Sequence, residues 1–205
     1  MPYSIPWQVR VLYSCGGTLI SPRHVMTAAH CFAMGVVVVG EHFTQNGSDG
    51  TNHEICRYRN HPLYNATNAK YDFKILHLKK PVEIGPRAVP ACLPTSTHGG
   101  DFLAGKILTT SGWGRTRNET HDMSKLRFVK VPGITNAECQ KLYSADPEYI
   151  RTILPVELCA GDINSGGIDA CQGDSGGNIW NLKSGYSSVY IKSDCSILSL
   201  SLIHI

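Results

Sequence analysis

Asp169-Ala170-Cys171-Gln172-Gly173-Asp174-Ser175-Gly176-Gly177 is the stretch on which the reading of this chain turns. A serine between glycines, preceded by an aspartate, fits a nucleophile on a tight, exposed turn. Glycine tolerates backbone angles that a Cβ forbids and lets backbone N–H groups approach a bound carbonyl. The same residues also make an ordinary polar turn with no chemistry. A nucleophilic serine needs a base and a group to orient that base, so the choice rests on what the rest of the chain supplies.

Two segments supply them. Thr27-Ala28-Ala29-His30-Cys31 sets a histidine in a run of small residues, and Tyr71-Asp72-Phe73-Lys74-Ile75-Leu76-His77-Leu78 sets an aspartate at the head of an apolar, strand-like run. Taken in the order His, Asp, Ser, these segments resemble the chymotrypsin/trypsin family of serine proteases. Pro6-Trp7-Gln8-Val9, Cys15-Gly16-Gly17-Thr18-Leu19-Ile20, Ala91-Cys92-Leu93-Pro94 and Ser111-Gly112-Trp113-Gly114 resemble further family motifs. The likeness runs from the first residues to Gly177.

The resemblance implies an all-β fold of two antiparallel six-stranded barrels, with the second one incomplete here. Residues 1–100 would form the first barrel with His30 and Asp72, and residues 101–177 the start of the second with Ser175. It implies a serine endopeptidase in which Ser175 is the nucleophile, His30 the general base and Asp72 the residue that fixes the imidazole tautomer. The N–H groups of Gly173 and Ser175 would form the oxyanion hole. Asp169 would lie at the floor of a pocket for Arg or Lys side chains, bordered by Ala170 and Gln172. Asp174 would pair with an N-terminal ammonium freed by zymogen cleavage. Bridges Cys15–Cys31, Cys139–Cys159 and Cys171–Cys195 follow the same likeness, while Leu108 and Asn181 fall where another family bridge has its cysteines. Cys56 and Cys92 are left to pair with each other, or Cys92 with a propeptide. The implied partners are protein or peptide substrates and protease inhibitors, and neither a cofactor nor a metal is expected. The competing expectation is a protease-like protein without catalysis, retained for binding or regulation.

The whole-chain properties bound these readings. With 205 residues the chain can bury a sizeable core. Charged residues make up 17%, and the net charge of +3 gives no argument for nucleic acid or membrane binding. Eight cysteines without a Cys-x-x-Cys pair, with sequons at Asn46, Asn65 and Asn118, point to a glycosylated, secreted protein. No signal peptide opens the chain, and the family's Ile-Val-Gly-Gly-like start is missing, so the chain is expected to be incomplete at its front and inactive as it stands. Residues 178–205 depart from the family pattern. Leu200–Ile205 is what CTG-TCT-CTT-ATA-CAC-ATC encodes, the string of a common sequencing-library adapter, so this tail is expected to be foreign to the protein.

Smaller features complete the reading. Thr95–Gly100 is expected to connect the barrels, and Thr135 or Asn136 to cap a short helix. Glu41, Asp49 and Glu54 have spacing unsuited to a calcium loop and are expected to be solvated. His24, His42, His53, His61, His77, His98, His121 and His204 stand in no context that suggests chemistry.

Overall fold

Every strand of the first half finds two neighbours, so no sheet edge is left. A computed structural model describes residues 2–11, 15–33, 35–45, 49–93, 100–115, 123–145, 152–163, 173–183, 186–191 and 198–201. Strands β1 (Gln8–Val11), β2 (Cys15–Ser21), β3 (His24–Thr27), β4 (Val36–Val39), β5 (Thr51–Asn60) and β6 (Lys74–Leu78) close into a barrel in the order β1-β2-β3-β6-β5-β4. β-Branched and aliphatic side chains favour these strands and fill the interior. Val9, Val11, Leu19, Val25, Val37, Val39, Leu76 and Leu78 are each at most 1% exposed and form one cluster. β5 carries few apolar residues and is mostly exposed; its pairing on both sides, with β4 and β6, holds it.

The second half is an open, curled sheet. Strands β7 (Ile107–Gly112), β8 (Arg127–Ile134), β9 (Glu157–Ala160), β10 (Asn178–Lys183), β11 (Tyr186–Ile191) and β12 (Leu198–Ser201) run in the order β11-β10-β7-β8-β9-β12. The fold is thus the trypsin-like one, a closed six-stranded barrel beside an incomplete second barrel. β10 joins the sheet directly after Gly177 by pairing Ile179 with Thr110 and Trp180 with Thr109. Carried on by one residue, that register sets Asn181 opposite Leu108, and the Asn181 Nδ2 donates to the carbonyl of Ile107 at 2.8 Å. The one α-helix among the described residues, α1 (Asn136–Ala145), is capped by Thr135: the Glu138 N–H donates to Thr135 Oγ1 at 3.2 Å, and the Thr135 N–H to Glu138 Oε2 at 3.0 Å. This reciprocal pair is a capping box. The bridge Cys139–Cys159 then ties α1 to β9.

The two halves meet through a shared apolar cluster and a few polar contacts. Ile5, Ala91, Trp113, Leu126 and Trp180 are buried together, with Trp7 packed on them and its ring edge-on to Trp180 at 5.7 Å. The His42 carbonyl accepts from Leu126 N at 2.8 Å and from Trp113 Nε1 at 3.3 Å, and Thr44 N donates to Ser124 O at 2.9 Å. No helix among the described residues is long and apolar enough to cross a membrane. Of the expected barrel link Thr95–Gly100, residues 95–99 lie outside the described residues and Gly100 opens a 3-10 helix, Gly100–Leu103.

Candidate functional site

His30 sits in the turn after β3, where β3 and β6 run side by side with Thr27 opposite Lys74. That pairing brings Asp72, two residues before β6, against the His30 turn. The aspartate holds the histidine at two points. His30 N donates to Asp72 Oδ1 at 2.9 Å, and His30 Nδ1 lies 2.6 Å from Asp72 Oδ2. The carboxylate is 1% exposed while the imidazole remains 38% exposed. A buried carboxylate bonded to Nδ1 fixes the tautomer with Nδ1 protonated, which makes Nε2, 3.9 Å from Cys31 Sγ, the acceptor nitrogen of the ring.

Local strain and packing set Asp72. Ala69 and Tyr71, both non-glycine, have φ of 50° and 53°. Such left-handed conformations cost about 1 kcal/mol or more each and persist only when packing holds them. Here the His61 ring stacks on Tyr71 at 4.9 Å and packs against Phe73 at 4.6 Å, and the His61 N–H donates to Phe73 O. Burial lowers the His61 pKa, so the ring is held in its neutral, stacking form. Tyr64 faces the same carboxylate: burial, then the Asp72 charge, push its phenol pKa up. Sequence context marked His61–Asn65 as resembling the family's lead-in to Asp72 but did not show that His61 stacks on Tyr71. An X-Pro pair ahead of Tyr71-Asp72 carries no signal for a ring stack formed across a loop.

Ser175 reaches the site from the other half of the molecule. Its carbonyl accepts from Gly16 N at 2.7 Å and lies 3.7 Å from Cys31 Sγ. The bridge Cys15–Cys31 therefore anchors both the turn that carries His30 and the loop that carries Ser175. The loop is tight: Gly177 N donates to Asp174 O at 2.9 Å. Gly173 has φ +103° and a Cβ there would lie 2.9 Å from the Gly114 Cα, so the position requires glycine. The Asp174 carboxylate turns away from Ser175 toward Gly112 and Gly114, and accepts from Gly114 N at 2.7 Å.

Other expected residues meet mixed outcomes. Asp169, Ala170, Cys171, Gln172 and Cys195 lie outside the described residues, as do the sequons at Asn46 and Asn118. Asn65 is exposed, with its side chain closing a turn onto Thr67 N. Cys56 and Cys92 are both free and exposed, which overturns a bridge between them. The solvated acidic loop also needs correction. Glu41 is buried in a two-point ion pair with Arg10, and Asp49 accepts from Tyr3 Oη and from the N–H groups of His42 and Phe43; only Glu54, paired with Lys79, is exposed. Buried carboxylates recruit partners because an unpaired one would be costly. His24 and His77, cross-strand partners on β3 and β6, lie 3.0 Å apart through Nε2 and Nδ1, with Ser21 Oγ on the other His24 nitrogen. Cys15, His30 and Cys31 cluster closely enough to suggest a metal, but the disulfide consumes both thiolates.

Comparison with known proteins gives one answer. The Trypsin family profile matches residues 1–197. Trypsin-2 of Salmo salar is 36% identical over 183 residues, covering 86% of this chain and 74% of its own length. Trypsin 5G1 of Aedes aegypti is 35% identical over 184 residues, covering 85% and 66%. The clotting factor G beta subunit of Tachypleus tridentatus is 34% identical over 195 residues, covering 87% and 62%.

Proposed function

The chain belongs to the trypsin family of serine proteases, and from that membership we propose that it works as a serine endopeptidase through His30, Asp72 and Ser175. The observation that carries this reading is the two-point hold of a buried Asp72 on an exposed His30, with the Ser175 carbonyl bonded to Gly16 on the strand that the Cys15–Cys31 bridge ties to the His30 turn.

In the proposed reaction Ser175 Oγ attacks the peptide carbonyl carbon while His30 Nε2 takes the hydroxyl proton. Asp72 stabilises the imidazolium so formed. The N–H groups of Gly173 and Ser175 receive the oxyanion, and each such donor is worth roughly 10²–10³ in rate. His30 then passes its proton to the departing amine, leaving an acyl-enzyme. Water repeats the cycle: His30 deprotonates it, the ester breaks, and Ser175 regains its proton.

Asp169 is proposed as the pocket floor, where a carboxylate favours an Arg or Lys side chain by direct charge pairing. Ala170 adds no hydroxyl for an ammonium, so arginine is the preferred residue. Asp174 is proposed as the partner of an ammonium created by zymogen cleavage. The two disulfides support an oxidising, extracytoplasmic setting, and protein substrates and protease inhibitors are the proposed partners.

Labelling with a fluorophosphonate probe tests the reading. In a completed, activated chain Ser175 is expected to label, Ser175→Ala to lose labelling while still folding, and a peptide panel to show cleavage after Arg before Lys. A folded, completed chain that takes up no probe would overturn the reading in favour of a non-catalytic member of the family.

A further inference from the structure

Lys74 is buried, at 6% exposed, and nothing in the chemistry above uses it. A lysine is seldom buried without partners for its ammonium. Its Nζ donates to the carbonyl of Cys31, the residue after His30, at 2.6 Å. On its other side the ammonium lies 5.0 Å from the ring centroid of Tyr58 on β5. The nearest carboxylate by sequence is Asp72, two residues upstream, and its charge acts on Lys74 without an ion pair within 4.0 Å among the described residues. Burial lowers the Lys74 pKa and the Asp72 charge opposes that.

We propose that Lys74 is a positioning residue that lowers the basicity of His30. A fixed cation behind the Asp72–His30 pair stabilises the carboxylate and opposes a second positive charge on the imidazole. His30 then sheds its proton at lower pH, which keeps the free base available under mildly acidic conditions. The same ammonium clamps the Cys31 carbonyl and so the turn on which His30 is mounted. Among the described residues, the groups placed against Lys74 are Tyr58 and Asn60 on β5, Thr27 opposite it on β3, the His30–Cys31 turn, and Asp72 on its own segment, with Tyr64 acting on Asp72. Asp72 is the one carboxylate in that set, so its charge is shared between the imidazole and the ammonium.

The inference rests on the proposed role of His30 as general base, but its test reads the imidazole directly. His30 would be titrated by NMR in the unmodified chain and in Lys74→Met, which keeps the volume and removes the charge. Removing the cation is expected to raise the His30 pKa by a few tenths to about one unit, as for unit charges several ångströms apart in a partly buried setting. The acid limb of kcat/KM should move up by the same amount, with a smaller change on the alkaline plateau. Lys74→Arg should restore the original value. Lys74→Gln, which can still donate to the Cys31 carbonyl, serves if the Met variant does not fold. An unchanged or lowered His30 pKa in a folded neutral variant overturns the proposal. A shifted pKa in a chain that takes up no fluorophosphonate would instead overturn the protease reading and leave the electrostatic coupling standing.

Discussion

Gly16 N donates to the carbonyl of Ser175 at 2.7 Å, so a strand of the first barrel holds the backbone of the Ser175 loop. The bond joins residues far apart in sequence, from the two halves of the molecule. It makes the position of Ser175 relative to His30 depend on barrel contact and not on the loop alone.

Gly176 is the residue that permits this approach. Its φ is +74°, and a Cβ there would lie 2.2 Å from Thr27 Oγ1, 2.7 Å from Gly16 O and 2.8 Å from Ala28 N. Two of those three atoms are backbone and cannot swing aside. Gly176→Ala is expected to destabilise the chain by about 1–3 kcal/mol and to suppress fluorophosphonate labelling beyond what unfolding explains. Urea denaturation and labelling rate, measured on the same sample, check this. A labelling rate unchanged in the folded variant would show that the loop has room that the geometry denies.

The Arg10–Glu41 pair makes a different prediction. Glu41 is fully buried and Arg10 only partly exposed, so losing the guanidinium removes the opposite charge that pairs with a carboxylate in the interior. Arg10→Met should cost about 3 kcal/mol, whereas Arg10→Met with Glu41→Gln should recover part of that loss. A double-mutant cycle in urea reads the coupling. Additive effects would show that the two charges do not support each other.

How much of this was legible in the sequence depends on how local each signal is. His30, Asp72 and the Ser175 loop stand in compact motifs, and the apolar run after Asp72 marks the strand that follows it. Glu41 was misread because its partner Arg10 lies on β1, joined to it only by the closed barrel. Lys74 was invisible for the opposite reason. A lysine opening a strand reads as a solvated end, and only the crossing of β6 under the His30 turn buries it. His61 likewise acquires its stacking partners through a loop whose left-handed residues no propensity encodes.

The partly buried histidines predict the response to acid. Burial holds His42 below its ordinary 6.5, against the pull of Asp49, and burial does the same to His53 and His61. Between those lowered values and 6.5 the unfolded chain binds more protons than the folded one, so stability rises with pH across that window. The contribution is fully present above 6.5 and is lost as pH falls through the folded values. The urea midpoint should drop between pH 7 and pH 5, and His42→Gln should make that drop smaller. An equal drop in both proteins would remove His42 from the account.

Asn178 carries the last prediction, because it joins the Ser175 loop to both halves of the molecule at once. It follows Gly177 directly and is fully buried. Its Nδ2 donates to Gln8 Oε1 on β1 at 2.5 Å, and Ser111 Oγ on β7 reaches the same Gln8 oxygen at 2.6 Å and Asn178 Oδ1 at 3.1 Å. Thr110 Oγ1 adds a bond to the Asn178 carbonyl at 3.0 Å. Asn178→Ala removes one donor and one acceptor from a site closed to bulk water, leaving Gln8 and Ser111 short of partners. The expected cost is about 2–3 kcal/mol, more than the roughly 1 kcal/mol of an average hydrogen bond, because the partners stay buried. Replacing both amides with apolar side chains of similar size, Gln8→Met with Asn178→Leu, should cost less than the sum of the two single changes. If the network also fixes the loop, the fluorophosphonate labelling rate of Ser175 should fall in Asn178→Ala at a urea concentration where the chain remains folded. A stability loss with an unchanged labelling rate would confine Asn178 to holding the barrels together and leave the placement of Ser175 to Gly16 and Gly176.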